Sequence, residues 1–190
     1  MAYELGRVLI DRQTIERRVG ELGHRLALDL EEELGREGHD PTAHPDRVVL
    51  MPVLTGAIVF TADLIRKMDL KMSLGVVAVT SYAGETTVSK GARLRGALPS
   101  NLSGKHIVII DDILDSGQTL ALLRELALER EPASLRSCIL LRKEVARVAD
   151  VTSDYVGFDI PNEFVVGYGL DYNGFYRNLP DIMVLKESPG

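Results

Sequence analysis

The chain has 190 residues, of which 45% are hydrophobic, and its 22 basic and 28 acidic side chains leave a net charge of −6. This size predicts one domain, residues 1–190, with a substantial apolar core. The acidic balance argues against nucleic acid as a partner. No apolar run reaches the roughly 20 residues of a membrane helix, and the N-terminus lacks a signal-peptide core, so a cytoplasmic protein is expected.

The first half of the chain alternates between helical and strand-like patterns. Apolar residues at spacings of three and four predict an amphipathic helix over 13–35, and Gly and Pro predict a loop over 35–47. A near-continuous apolar run predicts a buried strand over 48–54, followed by a helix that ends near Met68. Another buried strand is expected over 74–81.

The same alternation continues after an irregular stretch. Residues 84–102 show no sustained period, and such a stretch inside a compact domain is usually functional or disordered. A strand over 107–110, a helix over 117–129 and a strand over 137–141 follow. Cys138, the only cysteine, lies in the last apolar run and is expected in the core. Strands alternating with helices predict a parallel twisted α/β sheet flanked by helices.

The tail of the chain has a different character. Short strand-like runs broken by Gly and Pro predict a small irregular subdomain over 155–185, at one end of the sheet. Aromatic residues gather in this tail and form either a small satellite core or a stacking platform for a planar ligand. They are Phe164, Tyr168, Tyr172, Phe175 and Tyr176.

The junction between the strand at 107–110 and the following helix is the most informative segment. Asp111 and Asp112 are expected where the strand ends, and Asp115 opens a turn of small residues. A strand, short loop and helix aim backbone N–H groups at an anion, and the carboxylates suit hydroxyls or a metal ion. In parallel sheets such ligands lie outside the carboxyl ends of the strands. The turn consists of Ser116, Gly117, Gln118 and Thr119.

Other phosphate motifs fit this junction badly. A P-loop needs a Lys before the Ser or Thr, and a dinucleotide fingerprint needs three spaced glycines. A receiver-like acidic pocket would explain the paired aspartates but would leave the small-residue turn without a role. Ordinary strand-end residues and a helix cap are a further alternative. Three crowded carboxylates repel one another, however, unless a bound group uses them.

Two motifs resemble a known family. The run from Ile109 to Thr119 resembles the phosphoribosyl-pyrophosphate (PRPP) motif of type I phosphoribosyltransferases. The run from Val156 to Asn173 resembles the hypoxanthine-guanine branch of that family. Residues Leu54, Thr55 and Gly56 fall where the family has its pyrophosphate loop, and Ser81 and Tyr82 where a mobile lid of about 82–100 begins.

The resemblance implies both a fold and a reaction. The expected fold is the type I phosphoribosyltransferase fold, with a core of about 48–142 and a small irregular subdomain, the hood, formed by the N-terminal residues and about 154–185. The expected reaction is purine salvage, in which the phosphoribosyl group of PRPP passes to N9 of hypoxanthine or guanine, giving IMP or GMP and pyrophosphate. The transition state resembles an oxocarbenium ion, Mg²⁺ is the implied cofactor, and a homodimer or homotetramer is the implied assembly. A PRPP-sensing regulator and an acidic phosphoacceptor domain are the competing classes.

The PRPP motif carries the residues implied for the sugar and its phosphate. Asp111 and Asp112 hold the ribose hydroxyls, one of them partly through Mg²⁺, although the family more often has Glu at the first position. Asp115 accepts the proton from N7 of the purine as general base. Backbone N–H groups of residues 115–119, including Gly117 and Gln118, cradle the 5-phosphate together with the Ser116 and Thr119 hydroxyls.

The remaining implied residues contact the purine and pyrophosphate. Lys143 donates to the purine O6, Phe164 stacks on the base, and the Val165 backbone meets its edge. Asp171 lies beside the base and binds a second Mg²⁺-linked region, and Arg177 pairs with pyrophosphate oxygens.

One residue departs from the family pattern. The family usually has Lys or Arg between Leu54 and Gly56, where this chain has Thr55. The loop there typically contains a non-proline cis peptide, and its backbone N–H groups bind pyrophosphate. Thr55 keeps those backbone groups but removes one positive charge, so a weaker affinity for PRPP is expected.

Overall fold

The computed structural model describes residues 3–40, 46–81, 92–145, 149 and 151–187. Within them, the helices are α1 (Arg12–Arg36), α2 (Ile58–Ile65) and α3 (Gln118–Leu128). The strands are β1 (Tyr3–Ile10), β2 (Val48–Leu54), β3 (Ser73–Leu74), β4 (Val77–Ser81), β5 (Ala92–Arg95), β6 (His106–Leu114), β7 (Ser134–Lys143), β8 (Tyr155–Ile160), β9 (Val165–Val166) and β10 (Ile182–Glu187).

The larger sheet has the order β5-β4-β2-β6-β7-β8, and β3 pairs beside β2. All pairings in it are parallel except the antiparallel pair of β4 and β5. Its central strands are apolar because both faces are covered. Alternate residues such as Val48 and Val49 point to opposite faces. Val48 packs in a core with α1 and α2, whereas Val49 packs with α3. The predicted parallel sheet flanked by helices is confirmed.

A smaller antiparallel sheet, β1-β10-β9, forms the hood. It joins the start of the described chain to its end, and Arg7 pairs with Glu163 across it. The sequence-based boundary of the hood needs one correction, because β8 pairs in parallel with β7 in the larger sheet. Gly157 permits this close approach, since a Cβ there would lie 2.4 Å from the Leu140 carbonyl oxygen.

Three element predictions also need correction. The strand expected over 107–110 runs on to Leu114, because residues as far as Leu114 continue to pair with β7. Asp111 and Asp112 therefore lie inside the strand and not after it. The strand expected over 74–81 is divided into β3 and β4. The stretch over 84–102, expected to be irregular, contains β5, whose Leu94 packs against the core on the α3 side.

Two predictions about the bulk of the molecule are confirmed. Cys138 is fully buried, and this burial raises the pKa of its thiol to about 12, as expected for a core residue. The apolar face of the long helix α1 is buried along its length, including Ile15, Val19 and Leu34. None of the helices in the described part of the chain is long and apolar enough to cross a membrane.

A cluster of charged residues, here called the amino-end cluster, fastens α1 to the amino ends of β6 and β7. His106 is only 1% exposed, and its ring lies 3.1 Å from Glu33 and 3.4 Å from Glu37 of the helix end. Arg136 pairs with Glu33, and Arg47 pairs with Glu37 at 2.7 Å. The hydrogen bond from Arg47 is the main cause that lowers the pKa of Glu37.

Candidate active site

Two adjacent carboxylates lie near the carboxyl end of β6. Asp111 is 7% exposed, and its Oδ1 accepts a hydrogen bond of 3.0 Å from the Asp112 backbone N–H. Burial, followed by the neighbouring Asp112 charge, raises the pKa of Asp111 well above its usual range. Burial also raises the pKa of Asp112, while the Arg177 charge opposes this. No ion pair to either carboxylate occurs among the residues that the structure describes.

The turn after β2 touches this carboxylate pair. The Leu54–Thr55 peptide is cis, as the resemblance implies. A Cβ at Gly56 would lie 1.9 Å from Asp112 Oδ2, so a larger residue there would displace the Asp112 carboxylate from its place beside the turn. The Thr55 side chain is exposed. The turn and the aspartate pair therefore form one continuous wall of the site.

The predicted phosphate loop opens onto a cavity of about 330 Å³. Gly117 precedes α3 with φ +82°, a left-handed conformation that favours glycine, and the Gln118 backbone N–H lies 3.5 Å from the Ser116 hydroxyl. The helix begins at Gln118, so its first backbone N–H groups lie at the predicted anion site. The cavity is lined by Asp111, Ile113, Leu114, Asp115, Ser116, Gly117, Thr119 and Leu120.

Lys143 and Asp115 form an ion pair that the sequence did not predict. Lys143 is the last residue of β7, and its Nζ lies 2.9 Å from Asp115 Oδ2. The lysine side chain is 11% exposed and the aspartate 53%, so the ammonium group lies inside and the carboxylate opens outward. The implied general base and the implied reader of the purine O6 are therefore adjacent.

The aromatic residues of the hood divide between the two roles left open by the sequence. Tyr168 is 7% exposed and belongs to the core. Phe164 is half-exposed, and its ring meets Tyr172 edge to face with centroids 5.6 Å apart, so it presents a surface on which a planar base can stack. Val165 follows in β9, where its backbone pairs with β10.

Asp171 and Arg177 are paired with each other. Arg177 Nη2 lies 2.7 Å from Asp171 Oδ1, and the other Asp171 oxygen accepts a 2.7 Å hydrogen bond from the Gly174 N–H. Within the described ranges, no three His, Cys, Asp or Glu side chains gather into a metal site. Asp111, Asp112 and Asp171 are thus not assembled into one preformed cage.

The lid prediction is only partly covered. Ser81 is the last residue of β4, whereas Tyr82 and the residues up to 91 lie outside the described residues. From the rest of the predicted lid, β5 pairs with β4.

Two further contacts that the sequence did not indicate join the hood to the core, one at the turn after β2 and one at α2. Gly169 has φ +101°, and a Cβ there would lie 2.4 Å from the Gly56 carbonyl oxygen. The Tyr168 hydroxyl donates a 2.7 Å hydrogen bond to Asp63 of α2. The glycines on either side of Tyr168 are a signal for an unusual backbone, but nothing near Asp63 in the sequence indicates its distant partner.

The geometry agrees with what comparisons with known proteins establish. Residues 25–173 match the model of the phosphoribosyl transferase domain. The chain therefore belongs to the phosphoribosyltransferase family, and its sheet and hood are the type I form of that fold.

Curated relatives narrow the branch. A hypoxanthine-guanine phosphoribosyltransferase of Mycobacterium avium is 42% identical over 94% of this chain and 84% of its own. One from Bacillus subtilis is 39% identical over 98% and 96%. A solved hypoxanthine phosphoribosyl transferase of Trypanosoma cruzi superposes with a TM-score of 0.84 at 35% identity, covering 98% of this chain and 94% of its own. The resemblance read from the two motifs is confirmed.

Proposed function

We propose that the chain is a purine salvage enzyme that transfers the 5-phosphoribosyl group of PRPP to N9 of hypoxanthine or guanine. The observation that carries this proposal is the Lys143–Asp115 pair, 2.9 Å apart, beside the cavity of the phosphate loop. A donor-only ammonium and a carboxylate side by side match the O6 acceptor and the N7–H donor of a 6-oxopurine. The curated relatives carry the corresponding names.

The ion pair gives the purine two functional groups to engage. On binding, O6 accepts from Lys143 and N7–H donates to Asp115, so each side chain exchanges its partner for the base. Asp115 then takes the N7 proton while the N9–C1 bond forms and the bond from C1 to the pyrophosphate oxygen breaks. General-base assistance of this kind typically contributes about 10² to 10⁴ in rate.

PRPP is placed across the same end of the sheet. Its 5-phosphate lies on the backbone N–H groups at the start of α3, and its ribose hydroxyls face Asp111 and Asp112. Its pyrophosphate lies at the 54–56 turn with Arg177. The closeness of the turn to Asp112 supports this order, because the sugar and the leaving group must be neighbours.

The carboxylates fit Mg²⁺ as the cofactor. Asp111 and Asp112 form no ion pair within the described chain, and burial raises the pKa of both carboxyls, at Asp111 together with the neighbouring Asp112 charge. Mg²⁺ prefers a few carboxylates together with substrate phosphate oxygens and water. Asp111 and Asp112 would hold it, with Asp171 facing a second ion. It would supply positive charge to the departing pyrophosphate.

A direct assay tests the reaction. The protein is incubated with PRPP, Mg²⁺ and either hypoxanthine, guanine or adenine, and IMP, GMP or AMP is measured. Hypoxanthine and guanine should react, whereas adenine presents an amino donor to Lys143 and should be disfavoured by about 10⁴ or more. Comparable kcat/KM for adenine and hypoxanthine would overturn the 6-oxopurine assignment. PRPP binding without any product would favour the regulator, and phosphorylation of an aspartate would favour the phosphoacceptor.

A matched pair of variants tests the role of Lys143. Lys143→Gln should narrow the gap between hypoxanthine and adenine, mainly by losing activity on hypoxanthine. The neighbouring Arg142 pairs with Asp159, so Arg142→Gln changes charge equally without touching Asp115. Equal losses in the two variants would remove Lys143 from the purine site.

The proposal includes an assembly and a location. A homodimer or homotetramer is supported by apolar side chains that are more than half exposed on and beside α2 and β3, namely Ile58, Leu74 and Val76. Light scattering on the purified protein tests this, and a monomer at assay concentration would contradict it.

A cytoplasmic location is supported by the free, buried thiol of Cys138. Fractionation of the source cells tests it.

A further inference from the structure

One hydrogen bond joins the hood to the core beside the proposed pyrophosphate site. Tyr168 is buried with φ +50°, an uncommon backbone conformation for a residue other than glycine. Its hydroxyl donates to Asp63 Oδ2 at 2.7 Å. Burial, and then this hydrogen bond, raises the pKa of Tyr168 far above its usual value, so the hydroxyl remains a donor at physiological pH.

Both partners continue directly into the 54–56 turn region. Asp63 lies on α2, which begins two residues after that turn. Tyr168 precedes Gly169, whose backbone packs against the Gly56 carbonyl oxygen. The Gly169 carbonyl accepts from Arg177, and the Gly169 N–H donates to the Arg177 carbonyl at 3.0 Å. The Tyr168–Asp63 hydrogen bond is thus connected, through Gly169, to both the 54–56 turn and Arg177, the residues proposed to bind pyrophosphate.

A cavity lies beside this part of the hood. This cavity of about 440 Å³ lies between α1, α2 and the hood, and Asp63, Tyr168 and Arg177 are among its lining residues. Packing of the 168–169 segment against α2 is therefore incomplete on that side. The hydrogen bond from the Tyr168 hydroxyl to Asp63 is a directed contact across this cavity.

We propose that Asp63 and Tyr168 are positioning residues that hold Gly169 and Arg177 against the 54–56 turn and so set the affinity for the pyrophosphate group of PRPP. This inference rests on the proposed function. Neither residue touches substrate. Their effect passes through the turn and through Arg177, so it falls on pyrophosphate binding and not on the purine.

The purine side of the hood is held independently. Val165 pairs with Val184 of β10, and the Phe164 carbonyl accepts a 2.8 Å hydrogen bond from the Leu185 N–H. These backbone contacts do not involve Asp63 or Tyr168. Loss of the Tyr168 hydroxyl should therefore change KM for PRPP and leave KM for hypoxanthine nearly unchanged. A general loss of stability would not produce this difference between the two substrates.

The kinetic test uses Tyr168→Phe, which removes the hydroxyl and keeps the ring. KM for PRPP should rise about tenfold, the size expected for loss of a hydrogen bond to a charged group, while KM for hypoxanthine stays within about twofold. Asp63→Leu should reproduce this split. Asp63→Asn keeps an acceptor oxygen and should stay close to the wild type.

A matched control exists elsewhere in the chain. The Tyr155 hydroxyl also donates a 2.7 Å hydrogen bond to an aspartate, Asp29, but it joins β8 to α1. Tyr155→Phe should lower thermal stability by a similar amount and leave both KM values unchanged. If Tyr168→Phe and Tyr155→Phe have the same KM for PRPP, the positioning role is wrong.

Calorimetry with pyrophosphate and Mg²⁺ separates this inference from the proposed function. Wild-type protein should bind pyrophosphate about tenfold more tightly than Tyr168→Phe. Equal binding would overturn the positioning role even in a protein that transfers phosphoribosyl groups normally. Weaker binding by the variant, in a protein that forms no IMP, would support the positioning role and contradict the transfer reaction.

Discussion

The two ends of β6 differ in whether their charged side chains are paired with opposite charges. At its amino end, His106, Glu33 and Glu37 lie among the arginines of the amino-end cluster, and each carboxylate has cationic partners. Near its carboxyl end, Asp111 and Asp112 are buried side by side, and burial raises the pKa of both. The same strand thus carries a neutralised cluster at one end and an unneutralised pair at the other.

The difference separates stability from function along a single element. Paired charges at the amino end fasten α1 to the sheet, and removing Glu33 would leave the buried His106 and the partly buried Arg136 without that partner. The carboxyl end retains a repulsion that a bound cation or a hydroxyl-rich ligand would relieve. Mutations at the amino end should therefore lower stability without changing chemistry, whereas mutations at the carboxyl end should impair chemistry without lowering stability much.

The largest expected effect lies at the carboxyl end. Asp115→Asn should lower turnover with hypoxanthine by about 10² to 10⁴, because the variant cannot accept the N7 proton. The asparagine keeps an oxygen that can accept from the nearly buried Lys143 ammonium, so the free energy of unfolding should fall far less than turnover does. Steady-state kinetics and urea unfolding on the same preparation measure both. Turnover within about threefold of the wild type would remove Asp115 from the role of base.

The reverse effect is expected at the amino end. Glu33→Ala removes a partner of His106 and Arg136 and should lower the free energy of unfolding by about 2–3 kcal/mol, with turnover per folded molecule unchanged. Glu32 forms an exposed pair with Arg36 on the same helix, so Glu32→Ala should cost at most about 0.5 kcal/mol. Equal losses in both variants would mean that the amino-end cluster adds nothing beyond an ordinary surface pair.

Asp111→Asn, at the carboxyl end of β6, should stabilise the free protein and lower its enzymatic activity. Removing one of two buried like charges should raise the free energy of unfolding on the order of 1 kcal/mol at pH 8, which is about 2–4 °C in Tm for a chain of this size. Addition of PRPP and Mg²⁺ should then raise the Tm of the variant less than that of the wild type. A destabilised variant would contradict the proposed repulsion.

The sign of the pH dependence follows from the raised pKa of Asp111. The folded protein holds this proton to higher pH than the unfolded chain, whose carboxyls titrate near about 4. The associated stability is therefore full below that pH and is lost as pH rises through the native pKa. The advantage of Asp111→Asn should be absent near pH 4 and grow toward pH 8. If the gain in free energy of unfolding of Asp111→Asn did not change with pH, it would come from packing and not from the removed charge.

The smallest effect is expected at the turn beside the aspartates. Thr55→Lys adds a positive charge where the side chain is exposed, and KM for PRPP should fall by an amount equivalent to at most about 1 kcal/mol. KM for hypoxanthine should change less. Thr55→Gln, of similar length but neutral, is the control. An equal improvement in both variants would show that length, and not charge, limits PRPP binding.

Local sequence was enough to predict the centre of the molecule. The run from β6 to α3 encodes its own strand, turn and helix, since apolar residues, a left-handed glycine and small polar residues follow one another within about fifteen positions. The family resemblance singled out Lys143, which is the last residue of β7. Its ion pair with Asp115 depends on two neighbouring strands aligned in register, and no local pattern encodes that alignment.

The elements that were missed depend on distant partners. β1 has an uneven burial pattern and becomes a strand through its pairing with β10. β5 is four residues long with two exposed arginines, and it is recognisable only against β4 and the core beneath Leu94. The contact of Gly169 with Gly56 brings together two turns far apart in sequence. Side-chain periodicity carries no information about such pairs.

The pairing of β1 with β10 also sets an order of assembly during synthesis. A ribosome releases the chain from its N-terminus, so β1 emerges before the other described elements and stays unpaired until β10, the last of them, is made. β9, which carries Val165, also pairs with β10, so the purine side of the hood is unfinished until then. We expect the larger sheet to form first and activity to appear only once β10 has emerged. Nascent chains stalled before β10 that already make IMP would contradict this.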